Sequence, residues 1–479
     1  MGIELKQTMN MKRTTILTLF CMFLLQGFAY NLYLDQEKKP RRIRKYEARV
    51  ESFKQQMQAM NLPQFSLTTC PEEFKDFPAV ILADYDSLSF TCKKTFIMPC
   101  VLPILVPMKD YKSTHFHRTR ILLNDDSAVE RFSNFDYHTD DRARWLYGTL
   151  ELSTLSDIHI RKADGTIRHV NLDSIYMPEA KWQYRPNEKR TLKIDGLEKG
   201  DIIDISSCNI SNNNLFIYRM SVLEPAVIPM ETNLPIVSID SRVHTDKKLS
   251  TLYRTTNNAP EFTVDDSAED HYLLSVHREN LLPASGDCAT ILLQPNVLSK
   301  SKYSSEIEKK PGIYANPPIE DVLSPFFFQE REKMKNIQQG RGCNFGKDSL
   351  AIFAHVDDIA ALPLSQKEKA DSIHRYLSET KPWRSIYIIR GTLTFLEYFG
   401  CLLAKAHIPF DYGIVSNRAN EPASQMLGSN YSTFLRLSDG SAVYFPYWGQ
   451  QEEPLGKAPE RFKGRQAILT DLKTTFILE

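Results

Sequence analysis

The sequence predicts a multi-domain protein in which an N-terminal all-β region, folded as a sandwich of two sheets, precedes a region of mixed helices and strands. Three observations support this. The chain has 479 residues, enough for two or three domains. Residues 70–285 contain many short segments of strand composition separated by turn residues. Residues 390–417, RGTLTFLEYFGCLLAKAHIPFDYGIVSN, combine an apolar helix, a break and a strand.

The composition argues against a nucleic-acid partner. The chain carries 59 basic and 59 acidic residues, so its formal net charge is zero. A nucleic-acid-binding domain usually has a basic excess. The hydrophobic content of 42% is ordinary for a globular protein.

The first 29 residues have the pattern of a signal peptide. Lys12 and Arg13 precede an apolar run over 16–25, and the small residues Gly27 and Ala29 suit cleavage before Tyr30. The run is short for a membrane span, which needs about 20 residues. We therefore expect export to the periplasm or cell surface, with an uncleaved anchor as the alternative.

Residues 30–69 form a charged leader with helical pattern. The basic run at 38–45 could contact anionic lipid or a partner, and this is the one membrane contact that the sequence suggests. If the N-terminus stays uncleaved, the chain could be a membrane-anchored assembly factor. A solvated linker leading into a helix over 46–60 is the interpretation that the composition favours.

The strand segments in 70–285 share β-branched and aromatic composition bounded by turn residues. They are 79–83, 87–92, 118–123, 149–153, 157–162, 166–171, 191–194, 201–206, 214–220, 234–239 and 271–277. The pair 157–162 and 166–171 flanks Ala163-Asp164-Gly165, which predicts a hairpin. That hairpin would set His159 opposite His169 as an exposed cross-strand pair.

Two further histidines are candidate metal ligands. His115 and His117 are two residues apart, so on a strand they would share one face. A third ligand is missing nearby, and His138 and Asp140 are candidates only if the fold brings them close. The sequence favours the interpretation that both are surface histidines in a loop. We therefore expect neither a metal nor a cofactor.

Residues 286–348 are rich in proline and predict a connector with one helix near 328–338. Residues 349–458 then carry predicted helices at 349–361 and 365–378. Thr394 and Glu397 have capping-box spacing, which starts the next helix within a residue or two of Thr392. Strands follow at 410–415, 431–437 and 442–447, and 459–479 should form a closing turn and C-terminal strand.

These segments resemble two bacterial families. The helix ending at 402–408, LLAKAHI, resembles the Leu-Leu-Arg-Ala-Ala-Gly-Ile that ends the nucleophile helix of the transglutaminase-like domain, a papain-like fold. Segments 157–170, 197–203 and 233–236 resemble the β-rich domain of unknown function that commonly precedes it. The second family implies no known reaction.

The resemblance implies that the catalytic residues are lost. Counting back from the helix end puts the family's Gly-Asp-Cys turn on 390–392, so Thr392 occupies the cysteine position. The histidine and aspartate positions fall near Ser432 and Pro446. A helix N-terminus favours a thiolate, but a threonine hydroxyl is too weak an acid to ionise in that field. Neither Ser432 nor Pro446 can act as a general base.

The competing hypothesis is an active cysteine acyltransferase or peptidase. Its nucleophile would be Cys343 or Cys401, with His355 or His374 as the base. For Cys343 the sequence favours a free or disulfide-bonded loop thiol, and for Cys401 a small buried apolar residue. After removal of the signal peptide seven cysteines remain, so at least one thiol should be free.

The sequence therefore favours an exported, non-catalytic transglutaminase-like protein acting as a binding or structural module. Tyr444, Phe445, Tyr447 and Trp448 cluster at the former aspartate position. Core packing is their default role, and an aromatic-lined cleft that binds a peptide or glycan is the second possibility. A peptide, a protein or a glycan is the expected partner.

Overall fold

The structure, a computed structural model, describes most of the chain from residue 41 onward. The described ranges are 41–60, 62–97, 106–138, 141–145, 148–172, 189–213, 223, 225–298, 304–323, 325–343, 349–380, 395–418, 421–428, 431–446 and 455–479. The predicted signal peptide (1–29) and Thr392 lie outside these residues. Within them, no helix combines the length and apolar character needed to cross a membrane.

The described helices concentrate in the second half of the chain. They are α1 (Arg41–Ala59), α2 (Asp126–Phe132), α3 (Glu306–Lys309), α4 (Ile319–Val322), α5 (Pro325–Gln338), α6 (Ser349–Ala361), α7 (Gln366–Thr380) and α8 (Phe395–Lys405).

The strands fall mainly in the first half. They are β1 (Ala79–Ile97), β2 (Val106–Leu123), β3 (Asn134–His138), β4 (Asp141–Trp145), β5 (Gly148–Arg161), β6 (Ile167–His169), β7 (Lys189–Lys193), β8 (Ile202–Asn213), β9 (Ala226–Pro229), β10 (Ile236–Asp246), β11 (Leu249–Thr256), β12 (Thr263–Asp265), β13 (His271–Leu281), β14 (Thr290–Val297), β15 (Gly312–Ala315), β16 (Phe410–Ser416), β17 (Tyr431–Leu437), β18 (Val443–Tyr444), β19 (Gln466–Leu469) and β20 (Thr475–Ile477).

Two sheets dominate the first part. The larger has the order β12-β13-β10-β1-β2-β8-β5-β4, with β6 beside β5, and the smaller has the order β15-β11-β14-β9. One hydrophobic cluster contains residues of both, such as Ile239 of the larger sheet and Ile291 of the smaller. The opposite face of the larger sheet packs against α1 through Phe53 and Phe116, whose ring centroids are 6.0 Å apart.

The central strands are longer than the sequence predicts. The segments 79–83 and 87–92 belong to one strand, β1, which pairs with β2 over its whole length. The pairing shifts register once, between Ile81 and Ala83. The sequence suggests a break at Asp84 and Asp86 because aspartate is depleted in strands. Both aspartates are instead accommodated by histidines on β2.

The range 286–348 is also more ordered than its composition suggests. It contains the predicted helix, as α5, but also β14, which pairs with β11. Pro295 lies inside β14, and a proline within a strand pattern normally argues against a strand. The apolar neighbours Leu292 and Leu293 nonetheless bury this strand in the smaller sheet.

The second part of the chain mixes helices with a five-stranded sheet of order β18-β17-β16-β19-β20. One hydrophobic cluster contains residues of the four helices α5, α6, α7 and α8 and of the strands β16 and β17. The predicted strands 410–415 and 431–437 correspond to β16 and β17, whereas 459–479 holds two strands, β19 and β20, rather than one. The fold is therefore a multi-sheet, multi-domain α+β arrangement, which confirms the coarser expectation from the sequence.

Candidate functional site

The helix α8 is the most deeply buried element of the second part. All residues over 395–403 are buried, including Glu397, which is 2% exposed. At its end the Ile408 N–H donates to Leu403 O at 2.9 Å and the His407 N–H donates to Ala404 O at 3.1 Å. This pair of bonds is a Schellman motif, with His407 at the left-handed position (φ 56°).

Three neighbouring elements enclose the first turn of α8. The walls around Glu397 come from Glu330 and Met334 of α5, Tyr412 of β16 and Thr433 of β17. They leave a cavity of about 10 Å³, close to the space that a single water molecule needs.

The polar groups of this cavity form two hydrogen-bonded pairs. The Tyr412 hydroxyl donates to Glu330 Oε2 at 2.5 Å, and Lys333 Nζ donates to Glu397 Oε1 at 3.1 Å. Burial raises the pKa of Glu330 to about 7, and this outweighs the opposing effect of the Tyr412 hydrogen bond. Burial, followed by the charge of Glu330, also raises the pKa of Tyr412 well above its usual value.

Ser432, near which the resemblance puts a catalytic histidine, and its neighbour Thr433 both lie on β17. Alternate residues of a strand face opposite sides, and it is Thr433 that faces α8 and lines the cavity. Ser432 instead donates to Asn417 Oδ1 at 2.5 Å. In the antiparallel register that pairs Leu435 of β17 with Tyr444, Pro446 falls opposite Thr433, two pairs further along.

Cys343 and Cys401 form a disulfide, with their Cα atoms 5.6 Å apart. This corrects the expectation that Cys401 is only a small buried apolar residue. The two cysteines are 58 residues apart, so no local pattern could pair them. In this oxidised state neither sulfur is a thiolate, the form in which a cysteine acts as a nucleophile.

The two candidate bases have other surroundings. The ring of His374 packs against Phe395, Phe399 and Tyr444 at centroid distances of 5.2–5.6 Å. Burial lowers its pKa to about 4. Cys401 follows Phe399 by two residues, about 200° around the helix, so it faces away from His374. His355 is exposed and lies against Tyr376 at 4.3 Å.

The Tyr444 and Phe445 side chains are buried, at 1% and 3% exposure. The Tyr444 hydroxyl donates to Asp371 Oδ1 at 2.7 Å, and the ring of Phe445 stacks on Phe462 at 5.0 Å. These two aromatics are therefore core residues, while Tyr447 and Trp448 lie outside the described residues.

In the first part, His115 and His117 lie on β2 rather than in a loop. His115 Nε2 is 2.6 Å from Asp86 Oδ1, and His117 Nε2 is 2.8 Å from Asp84 Oδ1. Burial lowers the pKa of His117, but the hydrogen bond and charge of Asp84 and the charge of Asp86 outweigh it and raise the pKa to about 9. The sequence did not identify Asp84 and Asp86 as partners of the histidines. Their spacing on either side of Tyr85, which puts both on one face of a strand, was the available signal.

The other suggested ligands of that site are elsewhere. His138 ends β3, where it pairs with Lys189 of β7, and Asp140 lies outside the described residues. His159 and His169 do face each other across the predicted hairpin, with ring centroids 4.2 Å apart. Asp157, His159 and His169 bring ligand atoms within 4.8 Å of one another, as do Asp84, Asp86 and His117.

Comparison with known proteins adds little. No protein-family model matches the chain, and no curated protein matches it. Among solved structures, the chain is similar to a crystal structure from Parabacteroides distasonis described as a "putative protease". The alignment covers 84% of this chain and 72% of that one, with 9% sequence identity and a TM-score of 0.45. A similarity this loose carries no argument about function.

Proposed function

We propose that the chain is an exported, non-catalytic relative of the transglutaminase-like proteins that acts as a structural or binding module. One observation carries the proposal. The described side chains that line the cavity beside Glu397, in the first turn of α8, include neither a thiol nor an imidazole. The imidazole that packs against Phe395 in the same turn belongs to His374, which is buried among aromatic rings with its pKa lowered to about 4. Neither Ser432, near which the resemblance puts the histidine, nor its neighbour Thr433 can act as a general base, because a hydroxyl does not accept a proton near neutral pH.

The size of the cavity supports a structural role for these groups. A peptide or amide substrate cannot enter a space of about 10 Å³. Glu330, with a pKa of about 7, has the acidity of a general acid or base. Its carboxyl is nevertheless held by Tyr412 and is 7% exposed, so it has no access to a substrate.

The disulfide argues against the competing enzyme hypothesis. Catalysis by Cys343 or Cys401 would require reduction, and the buried imidazole of His374 faces a different side of α8. Binding of a peptide, a protein or a glycan would use a surface other than this water-sized cavity.

The test combines thiol chemistry with an activity assay on the full chain. The purified protein is alkylated from pH 5 to pH 9, and each cysteine is followed by mass spectrometry. In parallel, the native and the mildly reduced proteins are incubated with a glutamine-containing peptide and hydroxylamine. We expect a linked Cys343–Cys401 peptide, no fast-reacting thiol below the usual thiol pKa of about 8.5, and no hydroxamate product.

Cys401→Ser and Cys343→Ser are the test variants, and Cys288→Ser is the matched control because Cys288 belongs to no disulfide. Hydroxamate formation that either test variant abolishes, and the control retains, would overturn the non-catalytic proposal.

A further inference from the structure

Four side chains with metal-ligand chemistry meet on one face of the larger sheet. Asp84 and Asp86 are two residues apart on β1, and His115 and His117 are two apart on β2. The strands pair Asp86 directly with His117. Because side chains two residues apart share a face, all four lie on the same side of the sheet.

Buried apolar side chains surround this cluster on the same face of the sheet. Asp84 and Asp86 are only 6% and 4% exposed, and Leu88, Ile239 and Val243 beside them are almost wholly buried. Two buried carboxylates are costly unless they are paired with positive groups or bind a metal. Both imidazoles keep 36% of their side-chain surface exposed, so an ion could reach the carboxylates from solvent.

A second observation points to a ligand. Ser241 of β10 is paired with Asp86 on the other side of β1, which puts its side chain on the same face. Its side chain is completely buried, and among the described residues its Oγ has no hydrogen-bond partner. A buried hydroxyl without a partner is uncommon and calls for a missing one.

We propose that Asp84, Asp86 and His117 bind a divalent transition-metal ion, with zinc as the ion that suits them best and a water molecule as its fourth ligand. His115 would orient the Asp86 carboxylate as an outer partner. Imidazole nitrogens and carboxylate oxygens are ordinary zinc ligands, at about 2.0–2.2 Å. A water molecule on the ion would give the Ser241 hydroxyl the partner that it lacks.

The distances fit this proposal. Ligands at about 2.0–2.2 Å from a tetrahedral ion lie about 3.3–3.6 Å apart. The ligand atoms of Asp84, Asp86 and His117 already lie within 4.8 Å of one another, and His117 Nε2 is 2.8 Å from Asp84 Oδ1. An ion between them needs these separations to change by about 1 Å, after which it replaces the hydrogen bond between the His117 imidazole and the Asp84 carboxylate. Each of these side chains is on a long, paired strand, so the site is largely preformed.

The experiment measures zinc directly. The full chain is stripped with a chelator, exchanged into chelator-free buffer, loaded with zinc chloride and separated from free ion. Zinc per chain is then measured by elemental analysis, and the affinity by calorimetry. We expect one zinc ion per wild-type chain and an affinity at least about 100-fold weaker in His117→Gln, since even outer partners of metal ligands are worth 10–100-fold.

The controls separate this site from its neighbours. Asp84→Asn is a second test variant of nearly unchanged shape, and circular dichroism verifies that both variants fold. His159→Gln is the matched control, because His159 also pairs with an aspartate, Asp157, at 2.8 Å on the same sheet. Cobalt substitution adds a visible spectrum that reports on ligand geometry in the wild type.

Three results would overturn the proposal. The wild-type chain could take up no zinc, in which case the cluster is a pair of histidine–aspartate ion pairs. His117→Gln and Asp84→Asn could bind zinc as tightly as the wild type. Alternatively, the loss could occur only in His159→Gln, which would assign the ion to the hairpin cluster.

Discussion

The hydroxyl of Tyr412 donates a 2.5 Å hydrogen bond to Glu330 Oε2, and both side chains are buried, at 3% and 7% exposure. The bond joins β16 to α5 beneath the first turn of α8. Burial penalises the charged carboxylate, so the pKa of Glu330 rises from 4.5 to about 7. The folded protein therefore holds this proton more tightly than the unfolded chain does.

Glu330 should make the protein less stable as the pH rises. A raised folded-state pKa gives stabilisation that is fully present below pH 4.5 and is lost as the pH passes through about 7. Glu330→Gln cannot titrate, so its unfolding free energy should not show this loss. The wild type should lose up to about 3 kcal/mol more than the variant as the pH rises. Urea unfolding of both proteins at pH 4.5 and 7.5 measures the difference.

The matched control for that measurement is Glu332→Gln, an exposed glutamate on the same helix. It should leave the slope of stability with pH unchanged. An identical slope in wild type and Glu330→Gln would show that Glu330 does not titrate in this range.

His374 should have the opposite effect. Burial among aromatic rings lowers its pKa from 6.5 to about 4, so its stabilisation is present above pH 6.5 and lost as the pH falls through about 4. His374→Phe should remove that acid sensitivity, again up to about 3 kcal/mol. The comparison uses unfolding at pH 4 and 7, with exposed His355→Phe as the control. Equal acid sensitivity in His374→Phe and the wild type would contradict this assignment.

The Cys343–Cys401 disulfide should stabilise the second part of the chain. Closing a loop between cysteines 58 residues apart restricts the unfolded state by about 4 kcal/mol in the chain-entropy model. The double variant Cys343→Ser/Cys401→Ser should therefore unfold at a clearly lower denaturant concentration, and a reducing agent should lower the wild type to the same midpoint. Cys288→Ser should not move it. Insensitivity of the wild type to reduction would contradict the expected contribution.

The sequence was a good guide wherever structure depends on neighbours along the chain. The hairpin between β5 and β6 has a local turn signal in Asp164-Gly165, and α8 has an apolar periodicity that few other structures could satisfy. The predicted strands at 410–415 and 431–437 correspond to β16 and β17.

The features that the sequence did not predict depend on contacts between residues that are far apart in the chain. Asp84 and Asp86 looked like a break in a strand because their histidine partners lie about 30 residues away. The sequence did not predict β14, because Pro295 argues against a strand and the pairing with β11 that forms it is not visible locally. The partner of Cys401 could not be chosen among the other cysteines without three-dimensional distances.

The end of α8 offers a direct test of a strained position. His407 has φ 56°, in the left-handed region, which costs a residue with a β-carbon about 1–2 kcal/mol and favours glycine. His407 is exposed, so its side chain is not needed for packing. His407→Gly should raise the free energy of unfolding by about 0.5–1 kcal/mol, because glycine relieves the strain but loses more entropy on folding. His407→Ala keeps the β-carbon and should show no such gain in the same thermal unfolding experiment. If the alanine variant were stabilised as much as the glycine variant, backbone strain at His407 could not be the reason.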